Sequence, residues 1–131
     1  MAKGLTDFVR EAKQKIREWT LAVAHDKVER GGVLVIDVRE PHEFAAGHIP
    51  GAINIPRGSI DGAADPGFKH RVEALCTARD KELLLYCQSG GRSAMAAATL
   101  QEMGFAHVHS LAGGWEVWEG DDLPVEKGTA A

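Results

Sequence analysis

The chain has only two cysteines, Cys76 and Cys87, in 131 residues, too few for a disulfide scaffold. In a reducing compartment a lone thiol of this kind is available for chemistry. No apolar run approaches the length of a membrane span, and the opening MAKGLTDFVREAK lacks the apolar centre of a signal peptide. A cytoplasmic protein without a membrane partner is therefore expected. Basic charge is not in excess either. Fifteen Lys and Arg stand against 19 Asp and Glu, a net charge of -4, which gives no reason to expect nucleic acid as a partner. Lys3, Arg10, Lys13, Lys15 and Arg17 cluster early, but acids interleave with them, the pattern of a solvated helix face. The six histidines form no zinc pattern. His107 and His109 are spaced to share one face of a strand, yet they have no cysteine or carboxylate company, so no metal is expected. Internal repeats and low-complexity tracts are absent.

What is present is a 44% hydrophobic chain of a length suited to one compact domain with a single core. Leu5, Phe8, Val9, Ala12 and Ile16 make one helical stripe over roughly 5–16. Thr20 is placed to cap a second helix over 21–30, which Gly31 and Gly32 would end. VLVIDV (33–38) and ELLLYC (82–87) are apolar without alternation, as in strands buried on both faces. PHEFAAG reads as a short helix with Pro41 at its first position and Gly47 past its end. AINI is a short strand, RGSIDGAADPG a loop by composition, and FKHRVEALCTA a return to helical spacing. An alanine-rich helix over 92–103 closes at Gly104, AHVHSL is a last strand, and GGWEVWEG a final short helix. Helices alternating with apolar strands indicate a mainly parallel sheet covered by helices on both faces. In such sheets ligands bind outside the carboxyl ends of the strands, where Cys87 falls.

The segment CQSGGRS (87–93) therefore carries the chemistry. Gly90 and Gly91 admit backbone conformations closed to other residues and leave the main chain open to close approach. A tight turn between a strand and a helix directs N–H groups inward as an anion-binding nest, and the helix adds its positive end. Both favour the thiolate, the nucleophilic form of cysteine. Arg92 adds a permanent charge with a planar fork for two oxygens of an anion. Gln88, Ser89 and Ser93 offer further donors. Cys76, mid-helix between Leu75 and Thr77 with no such loop, reads as packing.

Three segments in order, DVREPHEFAAGHIPGAINIPRG (37–58), CQSGGRS and LAGGWEVWEGDDLPV (111–125), resemble the single-domain rhodaneses, thiosulfate:acceptor sulfurtransferases. The resemblance implies a rhodanese-like three-layer α/β sandwich over 31–125, with 1–30 a helical lead-in packed on it and 126–131 a polar tail. It implies that Cys87 accepts sulfane sulfur as a persulfide, that the N–H groups from Gln88 through Ser89, Gly90, Gly91 and Arg92 to Ser93 surround it, and that Arg92 binds the donor's oxygens. Asp37 and Arg39 would brace the site through hydrogen bonds; His48 and Asn54 would organise turn and strand; Arg57 would lie either toward the pocket or on the surface. The donor would be thiosulfate or a persulfide, with mercaptopyruvate disfavoured by the loop pattern. The acceptor would be cyanide, a small thiol or a protein. No metal or organic cofactor is implied. Two alternatives stand beside this. One is a non-catalytic rhodanese-like binding module, which retention of Cys87 disfavours. The other is a cysteine phosphatase or arsenate reductase, whose loops place five residues between cysteine and arginine where this chain has four, QSGG.

Overall fold

The computed structural model describes residues 1–129; the last two positions of the expected 126–131 tail lie outside the described residues. The two unbroken apolar runs become adjacent strands, β2 (Val33–Asp37) and β4 (Glu82–Tyr86), paired in parallel with Leu34 opposite Leu83 and Asp37 opposite Tyr86. They carry apolar side chains on both faces because helices cover both. Leu83 and Leu85 face one core, which holds Leu75, Ala96, Ala97 and Leu100; Leu84 and Tyr86 face the other, with Phe44, Trp115 and Trp118. Leu83, Leu84 and Leu85 are fully buried. Each such side chain contributes about 1.5–3 kcal/mol on removal from water. That is why this run sits at the centre of the sheet.

The sheet is β1 (Arg17–Trp19), β5 (His107–Leu111), β4, β2 and β3 (Ile53–Asn54), in that order, and every pair is parallel. One face is covered by α2 (Leu21–Arg30), α3 (Pro41–Ala46) and α7 (Gly114–Gly120), the other by α4 (Ile60–Ala64), α5 (Glu73–Cys76) and α6 (Gly91–Glu102). The expected three-layer α/β arrangement is observed. The amphipathic α1 (Leu5–Lys15) lies on α6 and leaves Leu5 and Phe8 exposed. Thr20 Oγ1 accepts from Val23 N–H at 3.3 Å as the cap of α2, and Pro41 opens α3. No helix among the described residues is long and apolar enough to cross a membrane.

The topology fixes where a ligand can bind. From β2 the chain leaves through α3 on one face, and from β4 through α6 on the other. A crevice therefore opens between the carboxyl ends of β2 and β4, the switch point of an open parallel sheet.

Three expectations are corrected, and one strand is added where the sequence carried no reading. Residues 17–19, between the two N-terminal helices, form the edge strand β1, with Arg17 opposite His109 and Trp19 opposite Leu111. RGSIDGAADPG is not wholly loop: a 3-10 turn, Arg57–Ser59, runs into α4, because Ile60, Ala63 and Ala64 are buried in the core. The helix expected over 68–78 shrinks to the four residues of α5. Lys69, His70 and Arg71 are exposed, so nothing offsets the cost of nucleating a helix there. Cys76 is thus the last residue of α5 rather than mid-helix; it is half-buried and donates Sγ–H to Ala63 O at 3.4 Å.

Candidate active site

Cys87 is the first residue past β4 and is 1% exposed. Its Sγ accepts from Gly90 N–H at 3.1 Å and Ser93 N–H at 3.4 Å, and lies 3.4 Å from Ser93 Oγ. Of the loop's N–H groups, these two reach the sulfur. The turn that brings Gly90 there needs φ +110°, a value L side chains rarely adopt.

The loop is held from behind by α7. Trp115 N–H donates to Cys87 O at 2.8 Å and Glu116 N–H to Gln88 O at 3.1 Å. A trans peptide points its N–H opposite its C=O, so the amides of Gln88 and Ser89 turn away from α7. This close approach requires Gly114, whose φ is +62°: a Cβ there would stand 2.5 Å from Cys87 O. The GGW segment and the cysteine loop are therefore one unit, although the sequence separates them.

Arg92, the second residue of α6, has its fork occupied. Nη1 donates to Glu43 Oε1 at 2.8 Å and Nη2 to Oε2 at 3.2 Å, both groups being about a quarter to a third exposed. These bonds hold the Glu43 carboxyl well below the usual range, at about 2, and raise Arg92 in turn. Glu43 also accepts the backbone N–H of Glu40 at 3.0 Å, which starts α3. The helix-start signal, an acid three residues after the first cap position, was visible in sequence. The partner 49 residues away was not.

Asp37 and Arg39 are brought together under the loop. Arg39 Nη2 donates to Asp37 Oδ2 at 2.7 Å and to Gly47 O at 2.7 Å, Nε bonds both Asp37 oxygens, and the pair is 0–3% exposed. Burial works against the Arg39 charge; the bonds to Asp37 outweigh it and raise its pKa. The guanidinium also stacks 4.9 Å from the Trp115 ring centroid. Asn54 Nδ2 donates to both Asp37 O and Arg39 O, and His48 Nδ1 donates to Phe44 O at 2.8 Å. Tyr86 OH accepts from Ile49 N–H at 3.0 Å, and burial pushes the phenol pKa up.

Beside the loop is a cleft of about 340 Å³ bounded by His42, Glu43, Gly47, Gln88, Trp115 and Glu119 among others. Gln88 is half-buried on its wall, and Ser89 is exposed. Arg57 is exposed at the start of its 3-10 turn and does not line the cleft. Among the described residues there is no group of three or more His, Cys, Asp or Glu able to hold a metal.

Residues 20–121 match the sequence model of the rhodanese-like domain. Thiosulfate sulfurtransferase 16, a chloroplastic protein of Arabidopsis thaliana, is 37% identical over 110 residues, covering 82% of this chain and 90% of its own. Three other relatives are longer, and the match spans 56–60% of their length. Among solved structures, one from Rhodopseudomonas palustris, described as a protein of unknown function and possible tyrosine phosphatase, is 32% identical with a TM-score of 0.85, covering 96% of both chains. The human single-domain sulfurtransferase TSTD1 is 26% identical with a TM-score of 0.68, covering 79% of this chain and 95% of its own.

Proposed function

The chain belongs to the rhodanese-like domain family, and from that premise we propose that it is a sulfurtransferase carrying sulfane sulfur on Cys87. The observation that carries the reading is the placement of Cys87 Sγ at the switch point, under two converging backbone N–H donors and one hydroxyl. Such an array stabilises negative charge on sulfur and on a sulfur added to it. The thiolate attacks the outer sulfur of thiosulfate, the S–S bond of the donor breaks, and sulfite leaves with the electron pair. A Cys87 persulfide anion remains. Cyanide or a thiolate then attacks the terminal sulfur, leaves as thiocyanate or a new persulfide, and returns Cys87 as thiolate. Donor oxygens would bind the Arg92 fork in place of Glu43. Asp37 and Arg39 would brace the loop, as their mutual bonds and the Trp115 contact suggest. A persulfide on glutathione or on a protein is an equally suitable donor in chemical terms.

The phosphatase reading draws on the description of the Rhodopseudomonas palustris relative. The four-residue spacing between Cys87 and Arg92 weighs against it, since Gly90 N–H already lies 3.1 Å from the bare sulfur and leaves little room for a tetrahedral phosphate. Intact-mass analysis after incubation with thiosulfate tests the choice. One added sulfur atom is expected in the parent and in Cys76→Ser, none in Cys87→Ser, and cyanide should remove it. Cys87-dependent hydrolysis of an aryl phosphate, with no sulfur uptake, would overturn the reading.

A further inference from the structure

Behind the catalytic loop lies a second hydroxyl. Ser93 Oγ stands between Cys87 Sγ, at 3.4 Å, and Ser110 Oγ, at 2.8 Å. Ser93 and Ser110 are both fully buried, and among the described residues Ser110 Oγ has Ser93 Oγ as its one side-chain partner. Ser110 belongs to β5, opposite Leu85 of β4. Each hydroxyl owns a single proton, so the direction of this chain is constrained. An anionic sulfur can only accept. The Ser93 proton then points to Sγ, and the 2.8 Å contact behind it must be made by the Ser110 proton. Reversing the chain, with S–H donating to Ser93 and Ser93 to Ser110, would leave the Ser110 O–H buried without an acceptor, a costly state. The chain thus has one fully satisfied direction, and it ends on a negatively charged sulfur.

We propose that Ser110 is a positioning residue for the sulfur chemistry, donating to Ser93 so that the Ser93 hydroxyl is turned onto Cys87 Sγ whenever that sulfur is anionic. This rests on Cys87 being the sulfur carrier. The effect belongs to the steps in which Sγ itself bears charge: the attack on the donor, and above all the discharge step, which expels Sγ as a thiolate. When the persulfide is present its charge lies mainly on the terminal sulfur, and Ser110 matters less.

Other charged and titratable groups surround the loop. Arg92 of α6 pairs with Glu43 of α3, and Asp37 pairs with Arg39 beyond β2. Lys13 of α1 has its Nζ 4.0 Å from where a Cβ on Gly90 would lie. Tyr86 precedes the loop, His42 and Glu119 border the cleft, and Glu116 donates its backbone N–H to Gln88 O. Glu18 of β1 pairs with Ser110 in register but is exposed. A substitution at Ser110 alters none of these charges.

The test is the rate of Cys87 alkylation by iodoacetamide in the full chain at a fixed pH, with cyanide-driven discharge of the preformed persulfide measured separately. Ser110→Ala should slow both alkylation and discharge about three- to tenfold, given that charge-assisted bonds are the stronger ones and that hydrogen-bond chains reinforce one another. Ser110→Thr, which keeps the hydroxyl, should restore both. In a Ser93→Ala background, Ser110→Ala should have no further effect, because it acts through Ser93. Unchanged rates in a Ser110→Ala protein that melts like the parent would overturn the proposal, as would additivity in the double variant. Failure of the parent to take up sulfur would instead remove the sulfurtransferase reading, while the alkylation rate would still report on the hydroxyl chain.

Discussion

Replacing Glu43 by glutamine keeps the shape of the side chain but removes the charge that fills the Arg92 fork. The two bonds, at 2.8 and 3.2 Å, join groups that are 34% and 24% exposed. Fully exposed pairs are worth about 0.2–1 kcal/mol and hydrogen bonds to charged groups about 1.5–3. This half-shielded bidentate pair therefore falls at about 1–2 kcal/mol. An anionic donor that uses the fork must first displace Glu43, and this energy is lost from donor binding. Glutamine retains one weaker neutral bond, so Glu43→Gln should lower the KM for thiosulfate about three- to tenfold, taking 1.4 kcal/mol as a factor of ten. The assay is steady-state thiocyanate formation at saturating cyanide with thiosulfate varied. The same substitution should cost stability, with a particular pH profile. Because the folded-state pKa of Glu43 is depressed from 4.5 to about 2, its contribution is full above about 4.5 and fades as pH falls toward 2. The difference in denaturation midpoint between parent and variant should close over that acid window and stay constant above it. An unchanged or raised KM in a folded Glu43→Gln protein would refute the competition argument. Glu43 would then serve to aim Arg92 rather than to occupy it.

Arg92→Lys keeps a cation but loses the fork; thiosulfate turnover should fall at least several-fold in the same assay, and full activity would leave simple charge as the explanation. Gly114→Ala combines a left-handed backbone, about 1–2 kcal/mol for a non-glycine residue, with a Cβ driven against Cys87 O. Both denaturation midpoint and sulfur uptake should drop, whereas retention of either would place the loop elsewhere than described. His109, 7% exposed and stacked 3.9 Å from the Trp19 ring centroid, has its pKa lowered by burial. Its contribution is full above the unfolded value of 6.5 and is lost as pH falls through the lower folded value, so His109→Phe should flatten the decline of the melting temperature on mild acidification.

The sequence by itself determined those parts of the molecule whose cause is local. Unbroken apolar runs made β2 and β4, Thr20 and Pro41 opened helices, and a cysteine between a strand and two glycines announced an anion-binding turn. Where the cause was another part of the chain, local signals were silent or misleading. Arg17, Glu18 and Trp19 contain two exposed charged residues and no apolar alternation, and they become a strand because β5 presents an unpaired edge to them. Residues 60–64 carry the glycine and aspartate of a loop, yet coil into α4 because burying Ile60, Ala63 and Ala64 outweighs weak helix propensity. The candidate site divides in the same way. Cys87, Gly90 and Arg92 were legible within seven residues. The acid that occupies the Arg92 fork lies 49 residues away, the serine behind Ser93 is 17 away, and Gly114 supports the loop from a third segment. Only the parallel sheet, by setting the ends of β2, β4 and β5 side by side, brings those segments into contact, and no local pattern encodes that juxtaposition.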